Sequence, residues 1–155
     1  MMGKVHEYTL TLAWTGNTGE GTKTYKSYDR NYTVSADGKP ELKGSADPNY
    51  LGDPSRWNPE ELLVAALSAC HKLWFLHLCA MKKIVVTDYV DQPLGTLNAE
   101  SDGSGEFTAT VLRPVITLAD AEQAQAADAL HHAAHEKCFI ARSVNFPVSV
   151  DATYR

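Results

Sequence analysis

Trp57-Asn58-Pro59-Glu60-Glu61-Leu62-Leu63-Val64-Ala65-Ala66-Leu67-Ser68-Ala69-Cys70-His71 is the stretch on which the reading of this chain turns. It opens with a full set of helix-start signals. Asn58 is a capping residue, Pro59 stands at the first helical position where its missing N–H costs nothing, and Glu61 can return a hydrogen bond as in a capping box. Trp57 and Leu62 are spaced for a hydrophobic staple. The apolar run continues to Met81, interrupted by Ser68, His71, Lys72 and His77, which argues for a buried helix and against a membrane span. Lys82 and Lys83 suit the C-terminal end of the helix. A helix apolar on nearly every face is expected in the middle of the protein or against a partner subunit.

On either side of this helix the pattern is β. Residues 6–12 alternate, residues 16–21 form a Gly-rich turn, residues 22–34 are β-rich, and Asp37-Gly38-Lys39-Pro40 is a second turn. The Gly-rich turn lacks the Gly-Lys-Ser/Thr ending and the following helix of a phosphate loop, so it reads as a hairpin turn. Two Asp-Pro pairs mark residues 44–57 as a structured loop. After the helix, residues 84–89, 95–100 and 106–112 read as strands, with Pro114 continuing the sheet at an edge or bulge because it has no N–H to donate. Residues 117–137 read as a second helix capped by Asp120, and residues 145–154 as a closing strand. This order predicts an α+β fold, with antiparallel sheets around a long helix, in one domain covering residues 1–155.

Lys plus Arg is 14 against 19 for Asp plus Glu, a net charge of −5, and no basic stripe interrupts it. That balance excludes the clustered positive charge wanted by nucleic acid or an anionic membrane. The N-terminal residues lack the apolar run of a signal peptide, and three widely spaced cysteines do not make a secreted disulfide framework. A reducing, cytoplasmic setting is the expectation.

The cysteines are not equivalent. Cys70 and Cys79, nine residues apart on one helix, fall on opposite faces with about 13 Å of rise between them, so they cannot pair. Cys79 reads as a small core hydrophobe. Cys70 and Cys138 remain as candidate reactive thiols, and spacing leaves open whether they meet.

The block Asn58-Pro59-Glu60-Glu61-Leu62 followed by small residues ending in Ala69-Cys70 resembles the central-helix signature of the OsmC/Ohr family (osmotically inducible protein C and organic hydroperoxide resistance proteins). Cys138, at the end of a later helix and before a hydrophobic strand, is similar to the family's second cysteine. The resemblance implies an intertwined homodimer and a thiol peroxidase needing no metal or organic cofactor. Its substrates would be organic hydroperoxides and hydrogen peroxide. It implies that Cys70 attacks the peroxide, that Cys138 closes a disulfide behind it, and that Glu60 positions an arginine serving the thiolate. An external dithiol, lipoyl-type or a small thiol, would supply electrons.

Glu60 and Cys70 are ten residues apart, about 15 Å along one helix. They share a site if two such helices meet antiparallel across a two-fold axis, one chain giving the acid and the other the thiols. Two positions depart from the family pattern. The second cysteine is followed by Phe139-Ile140-Ala141 where the family has Pro and then Ser, and residues 16–21 lack the family's arginine. Arg56 is the first substitute and Arg30 the second.

His131, His132 and His135 precede Cys138 at metal-ligand spacing, but without a second ligand cluster they read as a helix face. His71 adjoins Cys70, yet neighbouring helical residues point about 100° apart. Trp57 and Trp74 are core residues or the lining of an apolar peroxide pocket. Two other readings stand beside the peroxidase: a small-ligand-binding stress protein on the same fold, and a metal site built from Cys70, Cys138 and His135.

Overall fold

The computed structural model, which describes residues 3–155, realises the capped start of the long helix. Helix α1 runs Pro59–Met81. Glu61 N donates to Asn58 Oδ1 at 2.8 Å and Asn58 N donates to Glu61 Oε2 at 3.1 Å, the reciprocal capping box the sequence called for. Such a cap contributes about 1 kcal/mol. At the other end Lys83 adopts φ 60°, and Ile84 N and Lys83 N donate to Cys79 O and Ala80 O, at 2.9 and 3.1 Å. This is a Schellman closure with a lysine where glycine is usual. One stripe of α1 is buried, Leu67, His71, Phe75 and Cys79, at four-residue steps. Within the chain the helix is buried on that face, while Leu73 on another is 63% exposed.

The chain divides into two compact units, one reaching Leu62 and the other Leu63–Arg155. The first holds an antiparallel sheet of β1 (Thr11–Trp14), β2 (Tyr32–Ser35) and β3 (Leu42–Gly44), in that order. The strand expected over 6–12 begins only at Thr11. Thr11 pairs with Ser35, and beyond Ser35 the chain turns away through Gly38 at φ 74°, so residues before Thr11 have no ladder opposite them. Of the β-rich run 22–34 the ladder takes only Tyr32–Val34, and residues 22–27 are turns and bends. Ser27 Oγ accepts from Thr24 N at 3.0 Å and donates to Gly21 O at 2.9 Å, and that side chain captures backbone groups a strand would have used. Trp57 N donates to Lys43 O and Ser45 N to Trp57 O, tying the entry of α1 to β3. Gly44 is required there, since a Cβ would lie 2.2 Å from the Tyr32 ring.

The second unit contains β4 (Val86–Asp91), β5 (Leu94–Ala99), β6 (Gly105–Leu112), β7 (Pro114–Leu118), α2 (Ala124–Asp128), α3 (Leu130–Lys137), β8 (Val148–Val150) and β9 (Thr153–Tyr154). Its sheets are ordered β4-β7-β9 and β5-β6-β8. The pairs β4-β5, β6-β7 and β8-β9 are three bent ribbons, each giving one strand to each sheet. The sheets are mixed: β8 and β9 pair parallel with β6 and β7. Pro114 is not at an edge. It is the buried first residue of β7, the central strand, where no ladder donor is needed, and Arg113 N donates to Asp91 Oδ1 at 2.7 Å just before it.

The second helix starts later than its composition suggested, because Thr117 and Leu118 complete β7. Asp120 does cap, accepting from Glu122 N at 3.0 Å, but what it caps is a 3-10 turn leading into α2. Ala129 separates α2 from α3. The closing strand is split at Asp151 and Ala152 into β8 and β9. The core of this unit joins Phe75, Cys79, Ile84, Ile116, Leu118 and Ala134.

Candidate active site

Cys70 lies on the third turn of α1 and is half-buried, whereas Cys138, the C-cap of α3, is 1% exposed. The two thiols are neighbours. Burial pushes the Cys138 thiol up to about 11, and its hydrogen bond with Cys70 adds to that, while the amides of Ala141 and Ile140 oppose it. Ala141 N reaches the Cys138 sulfur at 3.4 Å. Cys138 therefore lies within reach of Cys70, a buried thiol beside a half-buried one. Cys79 is buried in the core, where desolvation raises it to about 11, in keeping with its reading as a hydrophobe.

Aromatic groups flank the pair. Trp74, one turn beyond Cys70, meets Phe139 edge-on at 6.1 Å, and Lys137 Nζ stands 5.7 Å from the Trp74 ring. Phe139, the residue that replaces the family's proline, is 67% exposed.

Next to Cys70 a hydrogen-bonded chain starts at the buried His71 and runs out to the exposed Asp128. His71 Nε2 is 2.8 Å from His131 Nδ1, His131 Nε2 is 3.1 Å from the Tyr154 hydroxyl, and Tyr154 donates to Asp128 Oδ1 at 3.0 Å. That last donation fixes the tautomers: His131 must donate through Nε2 and accept at Nδ1, and His71 must donate through Nε2. Desolvation, then His131 and His135, lowers the His71 imidazole to about 4, and desolvation lowers His131 against the opposing pull of Asp128. Both rings are neutral near pH 7.

Sequence reasoning missed this chain, taking His131 for a helix face. The signal was present in the periodicity. Ala127, His131, Ala134 and Cys138 make one buried stripe, as do Leu67, His71, Phe75 and Cys79, and each stripe includes one histidine. His132, off the stripe, is exposed and lies 3.4 Å from Glu136. Among the described residues no three His, Cys, Asp or Glu side chains are gathered to hold a metal, the set Cys70, Cys138 and His135 included.

In the first unit Glu60 lines a cavity of about 280 Å³ with Arg30, Tyr32, Asp47 and Tyr50. Burial raises the Tyr32 phenol and the Glu60 charge adds to it. Arg30 stacks on Tyr28 and Tyr25, at 4.0 and 4.6 Å, and donates to both of their carbonyls. Arg56 does not line this cavity. Its Nε lies 3.7 Å from Asp53, and its Nη1 is 3.5 Å from Tyr32 O. Since α1 is continuous, Glu60 and Cys70 remain about 15 Å apart along it.

A long helix carrying a half-buried thiol beside a buried one, with mixed sheets in the same unit, defines an α+β thiol protein. The chain matches the OsmC-like protein family over residues 52–153 and belongs to it. It is 34% identical to an OsmC-like protein of unknown function from Vibrio cholerae O1 biovar eltor, over 96% of this chain and 99% of that one, with a TM-score of 0.84. The fold is shared with organic hydroperoxide resistance proteins of Elizabethkingia anophelis and Legionella pneumophila. These are 21% and 22% identical, each with a TM-score of 0.65, and the matches cover 96% and 97% of this chain and 96% and 98% of theirs. A comparison with curated proteins matched none of them.

Proposed function

We propose that this chain is a thiol-dependent peroxidase acting on organic hydroperoxides, with hydrogen peroxide as a further substrate. The observation that carries the reading is a half-buried Cys70 beside a buried Cys138. The Cys70 thiolate attacks the hydrogen-bearing oxygen of the peroxide, the O–O bond breaks, and the alkoxide leaves as the alcohol by taking up the proton that the thiol had released, giving a Cys70 sulfenic acid. The Cys138 thiol then condenses with it, forming the S–S bond and releasing water. An external dithiol exchanges with that disulfide and restores both thiols.

Glu60 and an arginine serve the thiolate and the charge developing on the leaving oxygen. Arg30 is favoured for this role because it shares a cavity with Glu60, while Arg56 is engaged by Asp53. A homodimer belongs to the proposal, supported by the length of Glu60-to-Cys70 helix and by the exposed face of α1 at Leu73. The cytoplasmic setting expected from the cysteine usage belongs to it as well.

The test is to mix fully reduced protein with cumene hydroperoxide and follow peroxide loss, intact mass and disulfide mapping. Stoichiometric loss with a Cys70–Cys138 bond is expected. Cys70→Ser should abolish it, and Cys138→Ser should stop at a sulfenic acid that a dimedone-type reagent traps. Peroxide left intact over free thiols would overturn the reading in favour of small-ligand binding on the same fold.

A further inference from the structure

The eight-residue α3 ends at Cys138, so its rotation about its own axis decides where that thiol points. Besides His131 it buries only Ala134 and half-buries Leu130, and apolar contacts of this kind do not fix a rotation. Ala127, just before it, and Ala134 offer only methyl groups, whose apolar contact has no direction. His131 is different: both ring nitrogens are bonded, to His71 on α1 and to Tyr154 on β9. Phe75 lies parallel to its ring, at 4.2 Å between centroids and 8° between planes. His131 and Cys138 are two turns apart and share the face of α3 turned to α1, where their partners, His71 and Cys70, are consecutive residues.

We propose that the chain His71–His131–Tyr154–Asp128 is the positioning element of the thiol pair, locking α3 against α1 and β9 so that Cys138 is held at Cys70. The inference rests on the peroxidase reading in that disulfide closure is a step of the cycle. A rotation of α3 by one residue, about 100°, carries His131 and Cys138 off their partners together. Leucine or phenylalanine at 71 and 131 would fill the same space; what the imidazoles add is direction.

Disulfide closure can be measured without peroxide, by equilibrating the protein with mixtures of reduced and oxidised glutathione and mapping the Cys70–Cys138 bond. His131→Phe should lower the equilibrium constant for closure about tenfold, and Tyr154→Phe by a smaller factor, through a lower effective concentration of one thiol at the other. The alkylation rate of Cys70 should stay at the wild-type value, and His131→Gln should recover part of the loss. Wild-type closure in both folded variants would overturn the proposal, as would a parallel change in Cys70 alkylation, the mark of general loosening. If His131→Phe does not fold, Tyr154→Phe decides alone. Wild-type protein that closes the bond in glutathione yet leaves hydroperoxide intact would sink the peroxidase reading and leave this one to the variants.

Discussion

Around Glu60 and Arg30 the polar side chains carry charge and line an open cavity; around His131 the polar groups inside are two neutral rings, bonded to each other and, through the Tyr154 phenol, to the exposed carboxylate of Asp128. The difference follows from solvation. An ionised side chain taken out of water costs several kcal/mol, while a neutral imidazole with both nitrogens bonded loses little. Groups that must hold charge during a reaction therefore stay near water, and groups that must hold a geometry go inside. On this reading the first region serves the electrostatics of peroxide cleavage and the second serves the alignment of two sulfurs.

The largest test of that division is at the arginines. Arg30→Met should lower kcat/KM for hydroperoxide by about 100-fold, the scale of losing one charge-stabilising donor, with closure in glutathione unchanged. Arg56→Met should stay within about threefold, its partner Asp53 being a surface carboxylate. Equal losses at the two positions would erase the distinction between them.

Acid should break the enclosed region first. His71 titrates at about 4 when folded and near 6.5 when unfolded, so the unfolded chain gains the proton earlier as pH falls. Stability is complete above pH 6.5 and declines toward pH 4, by on the order of 3 kcal/mol. His131 acts in the same direction, moderated by Asp128. Thermal melts across that window should show the decline, and His71→Leu should flatten it. An unchanged slope in that variant would place the acid sensitivity elsewhere.

The smallest effect calibrates the others. Lys83 sits at φ 60°, so Lys83→Gly should raise stability by about 0.5–1 kcal/mol in denaturant titration while touching neither region. Disulfide closure that moved with it would mean that global stability, and not local alignment, governs the thiols.

What the sequence disclosed was mostly local. The capping box at Asn58 and Glu61, the turn at Gly38 and the cap at Asp120 are each decided within three or four residues, and each is present. The strand expected from residue 6 failed because alternation specifies faces and not partners; the chain opposite had already turned at Gly38. The helix expected from Thr117 failed because β7 claimed that residue for a ladder with Asp88, a choice made across the sheet. The thiol pair was legible through its motif. The histidines were visible as residues but not as a chain, because their partners come from α1, α3 and β9 at sequence separations of 60 and 23.

The parallel docking of β9 has a consequence for how the molecule forms. Thr153 meets Val115 only after the chain has passed through α2 and α3, and the entropy of closing that crossover is lost before the ladder returns anything. His131 lies within the crossover and Tyr154 in the strand that ends it, so the bond between them is a clasp fastened late. Helix α1, set by its own caps, can be in place long before. During refolding, protection of the Cys138 thiol should therefore lag the appearance of helix, arriving with the last strand.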